Sequence, residues 1–293
     1  EGQAASEELG SDVYRFGAGD INGDGFDDLV IGVPGDDTSG TDAGKVIVYM
    51  GSTSYLDTTI DYTLYGEVAG DQFGYSVAIG DPNGDGFADV IIGAPYNDDG
   101  GANYGKVYAF EGSASGLAST ATYGQYGSSS YSALGYRLVQ LGDLNADGFD
   151  DFYLAGSSGD AQIFLGDAAG LTGTADQTWT RGDVVPLGDV SGDGFDDIRI
   201  GNKIQMGDAS GVMKTWAETT YLQDAGDMDG DGYQDLLFGN PDYNGSNDTN
   251  KWGRIWIRYG YEADNDNDGY LESEDCDDAD NTVYPGATEI VGD

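Results

Sequence analysis

The sequence predicts an all-β fold made of four-stranded antiparallel units. One acidic pattern, D-x-[NSD]-x-D-G-[FY]-x-D, occurs five times and begins at Asp20, Asp81, Asp143, Asp189 and Asp227. Each copy leads directly into an apolar run of strand type, such as DLVIGVP or DVIIGAP. Between the copies, short runs of β-branched and aromatic residues are separated by many of the 50 glycines, as expected for strands joined by tight turns.

Each repeat contains the same parts in the same order. One strand leads into the acidic loop, as in FGYSVAIGD, and an apolar strand follows the loop. A further strand such as GKVIVYMG or GKVYAFEG comes next, and a weaker strand completes the unit, for example over 61–66 and 176–181. Radial repetition of four-stranded antiparallel blades is the plan of a β-propeller. We therefore predict a propeller over residues 1–260 with five visible repeats, either a five-bladed ring or part of a larger propeller.

The composition excludes several classes of function. The 293-residue chain has 54 acidic and 11 basic residues, a net charge of −43, which repels nucleic acid and anionic membranes. No apolar run reaches the length of a membrane span, so no membrane insertion is expected. The chain has no His, and Cys276 is its only cysteine, which excludes Ser-His-Asp triads, Cys-His pairs and His-liganded zinc. Because 39% of the residues are hydrophobic, we expect a folded protein whose acidic charge is neutralised by divalent cations.

The spacing of oxygen donors in the repeated loop is typical of calcium binding. Side chains at positions 1, 3 and 5 converge where a glycine at position 6 allows a sharp turn, and a carbonyl at 7 and a carboxylate at 9 complete the set. An ordinary Asp-Gly hairpin turn does not require the other donors at fixed offsets. Magnesium, which keeps several waters, suits fewer protein ligands. We therefore predict about five calcium ions in the propeller, with the neutral Ser191 making the fourth loop the weakest.

The predicted ligands occupy equivalent positions in all five loops, with the aromatic residue at position 7 contributing its backbone carbonyl. They are Asp20, Asn22, Asp24, Phe26 and Asp28; Asp81, Asn83, Asp85, Phe87 and Asp89; Asp143, Asn145, Asp147, Phe149 and Asp151; Asp189, Ser191, Asp193, Phe195 and Asp197; and Asp227, Asp229, Asp231, Tyr233 and Asp235.

The residues that flank these loops resemble the FG-GAP repeat family, which is best known from the β-propellers of integrin α subunits. Phe73-Gly74 precedes the second loop and Gly93-Ala94-Pro95 follows it. The matching segments are looser elsewhere: Leu134-Gly135 precedes the third loop, and Gly-Val-Pro and Gly-Asn-Pro follow the first and fifth. The resemblance implies a calcium-stabilised, non-enzymatic adhesion or assembly module. It also implies that partners bind loops on the face opposite the calcium loops.

Residues 261–293 form a second acidic segment, predicted to be a calcium-binding tail or the start of a following module. It resembles MopE-like and thrombospondin-type-3-like segments of secreted bacterial proteins, which implies one or more further ions and a second cysteine that would pair with Cys276. A disordered acidic tail is the alternative. The predicted ligands of the tail are Asp264, Asp266, Asp268, Tyr270 and Asp275.

Aromatic residues in the long connections are the candidate contacts with partners, because rigid amphipathic rings are common at such sites. The alternative is that they only stabilise their own loops. We expect the partner to be a protein or glycan at the cell surface, including further copies of the chain. The candidate residues are Tyr96, Tyr104, Tyr126, Tyr131, Tyr243 and Trp252.

Two other functions remain open from the sequence: a lectin-like carbohydrate-binding propeller and a carboxylate-dependent glycan-active enzyme. Glu67, Glu111 and Glu218 are the few candidate catalytic acids, and none lies in an apolar strand context. We therefore expect no enzymatic activity. Calcium loops of moderate affinity suit millimolar calcium outside cells, and no signal peptide precedes the repeats. A secreted, mature chain at the cell surface is expected.

Overall fold

The computed structural model describes residues 15–53, 59–127, 132–158, 160–171, 175–201, 203–209, 214–218, 221–226, 228, 235–240 and 254–258. These residues form nineteen β-strands and no α-helix, and in this part of the chain no helix is long and apolar enough to cross a membrane. The predicted all-β fold is therefore confirmed.

The strands form five antiparallel sheets, here called blades 1 to 5, in which hydrogen-bonded neighbours are consecutive in the chain. Blade 1 contains β1 (Phe16–Gly19), β2 (Asp28–Val33), β3 (Lys45–Tyr49) and β4 (Tyr62–Tyr65). Blade 2 contains β5 (Ser76–Gly80), β6 (Asp89–Ala94), β7 (Lys106–Phe110) and β8 (Tyr123–Tyr126). Blade 3 contains β9 (Arg137–Gly142), β10 (Asp151–Ala155), β11 (Asp160–Phe164) and β12 (Gln177–Thr180).

The last two blades follow the same order. Blade 4 contains β13 (Val184–Gly188), β14 (Asp197–Ile200), β15 (Lys203–Met206) and β16 (Lys214–Glu218), and the described strands of blade 5 are β17 (Tyr221–Gly226), β18 (Asp235–Asn240) and β19 (Arg254–Arg258). The sequence also predicts that the first residues of the chain supply the fourth strand of blade 5 and close the ring; these residues lie outside the described part of the chain. The chain divides into two compact units, residues 1–143 with 147–184 and residues 144–146 with 185–293.

The core of the first unit lies between successive blades. Strands β6, β7 and β10 are buried along their whole length, which explains why they read as continuous rather than alternating apolar runs. One buried cluster joins Val46 and Val48 of blade 1 to Ile92 and Phe110 of blade 2, and another joins blade 2 to blade 3. Each large apolar side chain buried in this way contributes roughly 1.5–3 kcal/mol. In the second unit, Leu187, Val190 and Ile204 form the buried cluster of blade 4.

The FG and GAP elements meet at the junctions between blades. Gly74 has a φ of 84° and donates its amide to the carbonyl of Gly93, 3.0 Å away. A Cβ atom on Gly32 would overlap the Gly74 carbonyl oxygen, and one on Gly93 would overlap that of Gly135. The glycines of the motif therefore allow the backbones of neighbouring blades to approach closely. Phe73 beside this contact is buried.

Candidate metal centres

The acidic loops connect the first two strands of each blade. In four hairpins the glycine before the loop pairs with the aspartate at position 9, as in Gly19 with Asp28 and Gly80 with Asp89. The same register therefore places all these loops at one end of their blades. The connections after the second strand lie at the other end of each blade, because the strands are antiparallel.

Within each described loop, the first aspartate holds the turn through backbone amides. In loop 1, Oδ1 of Asp20 accepts a hydrogen bond from the amide of Asp24 (3.1 Å) and Oδ2 accepts one from Gly25 (2.8 Å). The side-chain oxygen of Asn22 also accepts from the Asp24 amide (2.9 Å), and Oδ1 of Asp24 accepts from Phe26 (3.0 Å). The first and fifth positions of loops 2, 3 and 4 make the same contacts within 0.1 Å.

The aspartate at position 9 has a second role that the sequence pattern did not indicate. Asp28 is fully buried, and its two oxygens accept hydrogen bonds from the amides of Ile21 (2.9 Å) and Gly51 (2.7 Å). The carboxylate thus ties its loop to a glycine just after the third strand of the blade. Asp89, Asp151 and Asp197 accept the amides of Gly112, Gly166 and Gly207 at 2.8–2.9 Å in the same way. A glycine one or two residues after the third strand is the signal that could have revealed this contact.

The position 9 carboxylates are buried close to other negative charges. Burial raises the pKa of Asp89 to about 7, and the carboxylates of Asp85, Glu111 and Asp81 add to this effect against the hydrogen bond from Gly112. Burial likewise raises the pKa of Asp197 to about 7, with Asp193 and Asp189 as its charged neighbours. Burial is the main cause of both pKa shifts and the neighbouring carboxylates add to it, so the fold places these two groups where negative charge is unfavourable. A bound cation would offset it.

The donor set of the loops fits a hard cation. Each described loop offers carboxylates at positions 1, 5 and 9 and an Asn or Ser oxygen at position 3, and each carboxylate oxygen that accepts one amide can still bind a metal. Among the described residues, no three His, Cys, Asp or Glu side chains are grouped closely enough to hold a metal by themselves. A site here therefore also needs the position 3 oxygen and the position 7 carbonyl, as calcium's high coordination number requires.

Successive loops are bonded to one another in the first unit. The carbonyl of Asp20 accepts the amide of Ala88 (2.9 Å), and that of Asp81 accepts the amide of Asp150 (3.1 Å). The carboxylate of Asp150 in turn accepts the amide of Asp81 (2.7 Å). The loops therefore lie at the junctions between blades.

The aromatic residue at position 7 packs against the preceding loop. A Cβ atom on Gly23 would lie 2.7 Å from Cε1 of Phe87, and one on Gly84 would lie 2.6 Å from Cε1 of Phe149. The ring therefore contacts the glycine at position 4 of the neighbouring loop.

The remaining predicted metal ligands lie outside the described residues. In the fifth loop, Asp227, Asp229, Asp231 and Tyr233 are not described, and only the backbone of Asp235, which begins β18, is placed. The tail ligands Asp264, Asp266, Asp268, Tyr270 and Asp275 also lie outside. All of them remain predictions.

The candidate partner residues that the structure describes lie at the blade end opposite the acidic loops. Tyr96 and Tyr104, in the connection after β6, are partly buried, and Tyr126 at the end of β8 is 43% exposed. The Tyr96 ring makes an edge contact with Tyr75, with centroids 6.2 Å apart. Tyr131, Tyr243 and Trp252 lie outside the described residues.

A cluster of alternating cations and rings at the same end was missed from the sequence. The guanidinium of Arg15 lies 5.1 Å from the ring of Tyr75, whose centroid is 4.7 Å from that of Tyr136, and Arg181 lies 5.7 Å from Tyr136. Burial raises the pKa of Tyr75, so its ring stays neutral. The tyrosine in F-G-Y-S and L-G-Y-R, directly after the FG position, was the available signal.

Comparisons with known proteins agree with these elements. Residues 13–49, 73–110 and 224–257 match the FG-GAP repeat, which covers strands of blades 1, 2 and 5. The described sheets show an all-β protein, and these matches are consistent with FG-GAP blades of the β-propeller type. Blades 3 and 4, outside the matched segments, lack the proline of the GAP element.

The relatives of the chain include integrin α subunits. It is 34% identical to integrin alpha-6 of Homo sapiens over 166 residues, which are 56% of the chain and 14% of the relative. It is 34% identical to integrin alpha-V of Gallus gallus over 169 residues, 54% of the chain and 16% of the relative. It is 33% identical to integrin alpha-PS2 of Drosophila melanogaster over 146 residues, 47% of the chain and 10% of the relative. The similarity therefore spans a small part of each relative.

Proposed function

We propose that this chain is a calcium-braced, non-enzymatic module for extracellular adhesion or assembly. The observation that carries the proposal is the position of the acidic loops at the junctions between blades. An ion that fixes loop 1 fixes the carbonyl of Asp20, which accepts the Ala88 amide of the next blade. The ion would then act by making the scaffold rigid rather than by signalling its own concentration. The relatives among integrin α subunits support an adhesive role.

Calcium is the proposed ion in all five loops and in the tail. Oxygen donors, several of them carboxylates, suit calcium, and the absence of His removes the usual nitrogen ligand of zinc. The proposed first site consists of the side chains of Asp20, Asn22, Asp24 and Asp28 and the backbone carbonyl of Phe26. The equivalent residues of the other loops form the other proposed sites. Extracellular calcium is concentrated enough to fill sites of moderate affinity.

The loops at the opposite end of the blades are the proposed partner surface. They present aromatic side chains, including Tyr96 and Tyr104, on rigid blades, an arrangement that suits a protein or glycan partner at the cell surface or another copy of the chain. The Arg181-Gly182-Asp183 tripeptide is not proposed as a recognition motif. Its Arg181 donates to the carbonyl of Ser157 (2.9 Å), and its Asp183 pairs with Arg137 (2.8 Å).

The metal proposal is tested by counting bound calcium in two variants of the same loop. Asp24→Ala removes a proposed ligand, whereas Asp27→Ala removes the same charge from an exposed residue at position 8. We expect equilibrium dialysis to find one calcium ion fewer in Asp24→Ala and the wild-type number in Asp27→Ala. An equal loss in both variants would mean that the loops attract cations only as diffuse charge.

The adhesion proposal is tested separately by light scattering in calcium and by binding of the chain to immobilised cell-surface proteins and glycans. We expect calcium-dependent association with at least one of these surfaces or with itself, weakened in Tyr104→Ser. If the calcium-loaded, folded chain associated with none of them, the adhesive role would be contradicted and the metal proposal would be unaffected.

A further inference from the structure

A cleft of about 660 Å³ lies between the outer strand of blade 1 and the outer half of blade 2. Strand β4 forms one wall, and strands β7 and β8 with residues 119–122 form the other. The hydroxyl of Tyr62 donates to the carbonyl of Ser115 (3.2 Å), which joins β4 to blade 2. The volume is that of a small-molecule site.

The cleft has an aromatic floor and amphipathic edges. Phe73 lies edge-on to Tyr108 and Phe110 at centroid distances of 5.3 and 6.2 Å, and all three rings are almost fully buried. At the rim, Tyr65 is 50% exposed and Tyr126 is 43% exposed. The rim rings can therefore contact a ligand without any rearrangement of the core.

The ammonium group of Lys106 lies beside the rings and pairs with two carboxylates. The ammonium of Lys106 lies 4.3 Å from the centroid of Tyr108 and 5.2 Å from that of Tyr126. It pairs with Glu67 at 3.4 Å and with Asp99 at 3.6 Å. The Lys106 side chain is only 11% exposed, whereas that of Glu67 is 56% exposed. The site thus offers a fixed donor and an accessible acceptor, and the two carboxylates more than neutralise the ammonium.

The cleft is not a general product of the repeat. At the junction of blades 2 and 3, the equivalents of Leu64 and Tyr108 are Gln125 and Gln162, which follow from the strand registers. These two amides hydrogen-bond to each other across the junction at 3.2 Å. The Lys106 position is Asp160 in blade 3. The lining of the cleft therefore differs from that of the second junction.

We propose that this cleft binds a neutral saccharide. The apolar face of a pyranose ring stacks on tyrosine, and its hydroxyls both donate and accept, which matches a tyrosine rim beside Lys106, Glu67 and the Ser119, Thr120 and Thr122 hydroxyls. An anionic ligand is disfavoured because Lys106 is already neutralised and the chain carries a net charge of −43.

The proposed action is binding without hydrolysis. Glycoside hydrolysis by the usual route needs two carboxyl groups flanking the scissile bond, and Glu67 is the one carboxylate among the described residues that line the cleft. The site is separate from the proposed calcium loops, so it does not depend on the metal proposal. It rests on the proposed function only in naming a saccharide as one kind of partner, and a protein partner at the other loops would leave it unaffected. It requires only that the first two blades are folded.

The test is saturation-transfer NMR on the calcium-loaded full chain with four probes: cellotriose, maltotriose, N-acetylated chitotriose and the acidic 3′-sialyllactose. We expect transfer to at least one neutral trisaccharide. Tyr126→Ala should weaken its binding about tenfold, the upper range of a single aromatic contact, and Tyr126→Phe should retain it. Glu67→Gln tests the acceptor, with a similar weakening expected.

Ile60→Ala is the matched control, because Ile60 is 44% exposed in blade 1 and is not part of the cleft lining. Its affinity should equal that of the wild type. Thermal midpoints of all variants show whether each remains folded. The proposal is overturned if no neutral probe binds, if only sialyllactose binds, or if folded Tyr126→Ala and Glu67→Gln bind as the wild type does.

Discussion

Asp28 and Asp24 occupy the same acidic loop, and their replacement by alanine should separate the structural role of the loop from its metal role. Asp24 is exposed, and its carboxylate accepts the exposed Phe26 amide and the side-chain amide of Asn22, each at 3.0 Å. Asp28 is fully buried and accepts the buried amides of Ile21 and Gly51. Water can replace the first carboxylate but cannot easily reach the amides that the second one satisfies.

The expected magnitudes differ accordingly. Asp28→Ala leaves two buried N–H groups without an acceptor, and each such group costs about 1–3 kcal/mol, so the sum is roughly 2–6 kcal/mol. Burial raises the pKa of Asp28, which shows that burying this charge is itself unfavourable. Removal of the charge therefore offsets part of the loss, and we expect a net destabilisation of roughly 2–4 kcal/mol. Asp24→Ala should change the stability of the metal-free protein by no more than about 0.5 kcal/mol.

The assay is urea denaturation at low temperature, once in excess EGTA and once in calcium. In EGTA, Asp28→Ala should have a clearly lower midpoint while Asp24→Ala matches the wild type. In calcium, both variants should fall below the wild type because both lose a proposed ligand. Equal midpoints for the two variants in EGTA would refute the reasoning, since the buried carboxylate would then have no structural role of its own.

Two further predictions concern the same loops. Ala146 has a φ of 54° where the equivalent Gly84 has 66°. A non-glycine residue in this region costs roughly 1–2 kcal/mol, whereas glycine gives the unfolded chain extra freedom that costs about 0.4–1 kcal/mol of stability. Ala146→Gly should therefore stabilise the protein by about 0.5–1 kcal/mol, measured by urea denaturation. Gly84→Ala should destabilise it, and a stabilising Gly84→Ala would contradict this account. Burial raises the pKa values of Asp89 and Asp197 from the ordinary 3.8 to about 7. In EGTA, the stability that these two carboxyl groups contribute should therefore be complete below pH 3.8 and should be lost as the pH rises through 7. Calcium should reverse this trend, because protons then compete with the ion; midpoints in EGTA that rise between pH 5 and 8 would oppose it.

The repeat predicted most of the fold because each strand carries its own local signals. The five loops fixed where hairpins turn, and the apolar runs after them became strands that begin at the position 9 aspartate, as in β2, β6 and β10. Even the weaker strands predicted over 61–66 and 176–181, which complete their units, appear as β4 and β12. These features depend on residues close together in the chain, which a sequence pattern can express.

Contacts between distant residues, within one repeat or between repeats, could not be predicted, because a local sequence pattern does not record them. The Gly51 amide that Asp28 satisfies is 23 residues away, and the ring of Phe87 reaches Gly23 of the preceding repeat. Leu64 and Tyr108 line the cleft beside Lys106. Their equivalents at the next junction, Gln125 and Gln162, hydrogen-bond to each other instead. Such differences between copies become visible only when the copies are placed side by side.

The two ends of a junction between blades are held by different chemistry. At the FG end of the first junction, Gly32 and Gly74 allow backbones to touch, Phe73 fills the adjacent core, and the Phe73 amide donates to the carbonyl of Ala43 (3.0 Å). These contacts need no ion. At the loop end, the carbonyls of Asp20 and Ile21 accept amides from blade 2, and these carbonyls belong to a loop crowded with negative charge.

Repulsion within the loop therefore acts directly on the hydrogen bonds that join the blades at this end. A cation bound there would offset the repulsion, while the FG end keeps the blades in register. This division of roles fits the proposal that the acidic loops stiffen the scaffold and that partners bind at the opposite end.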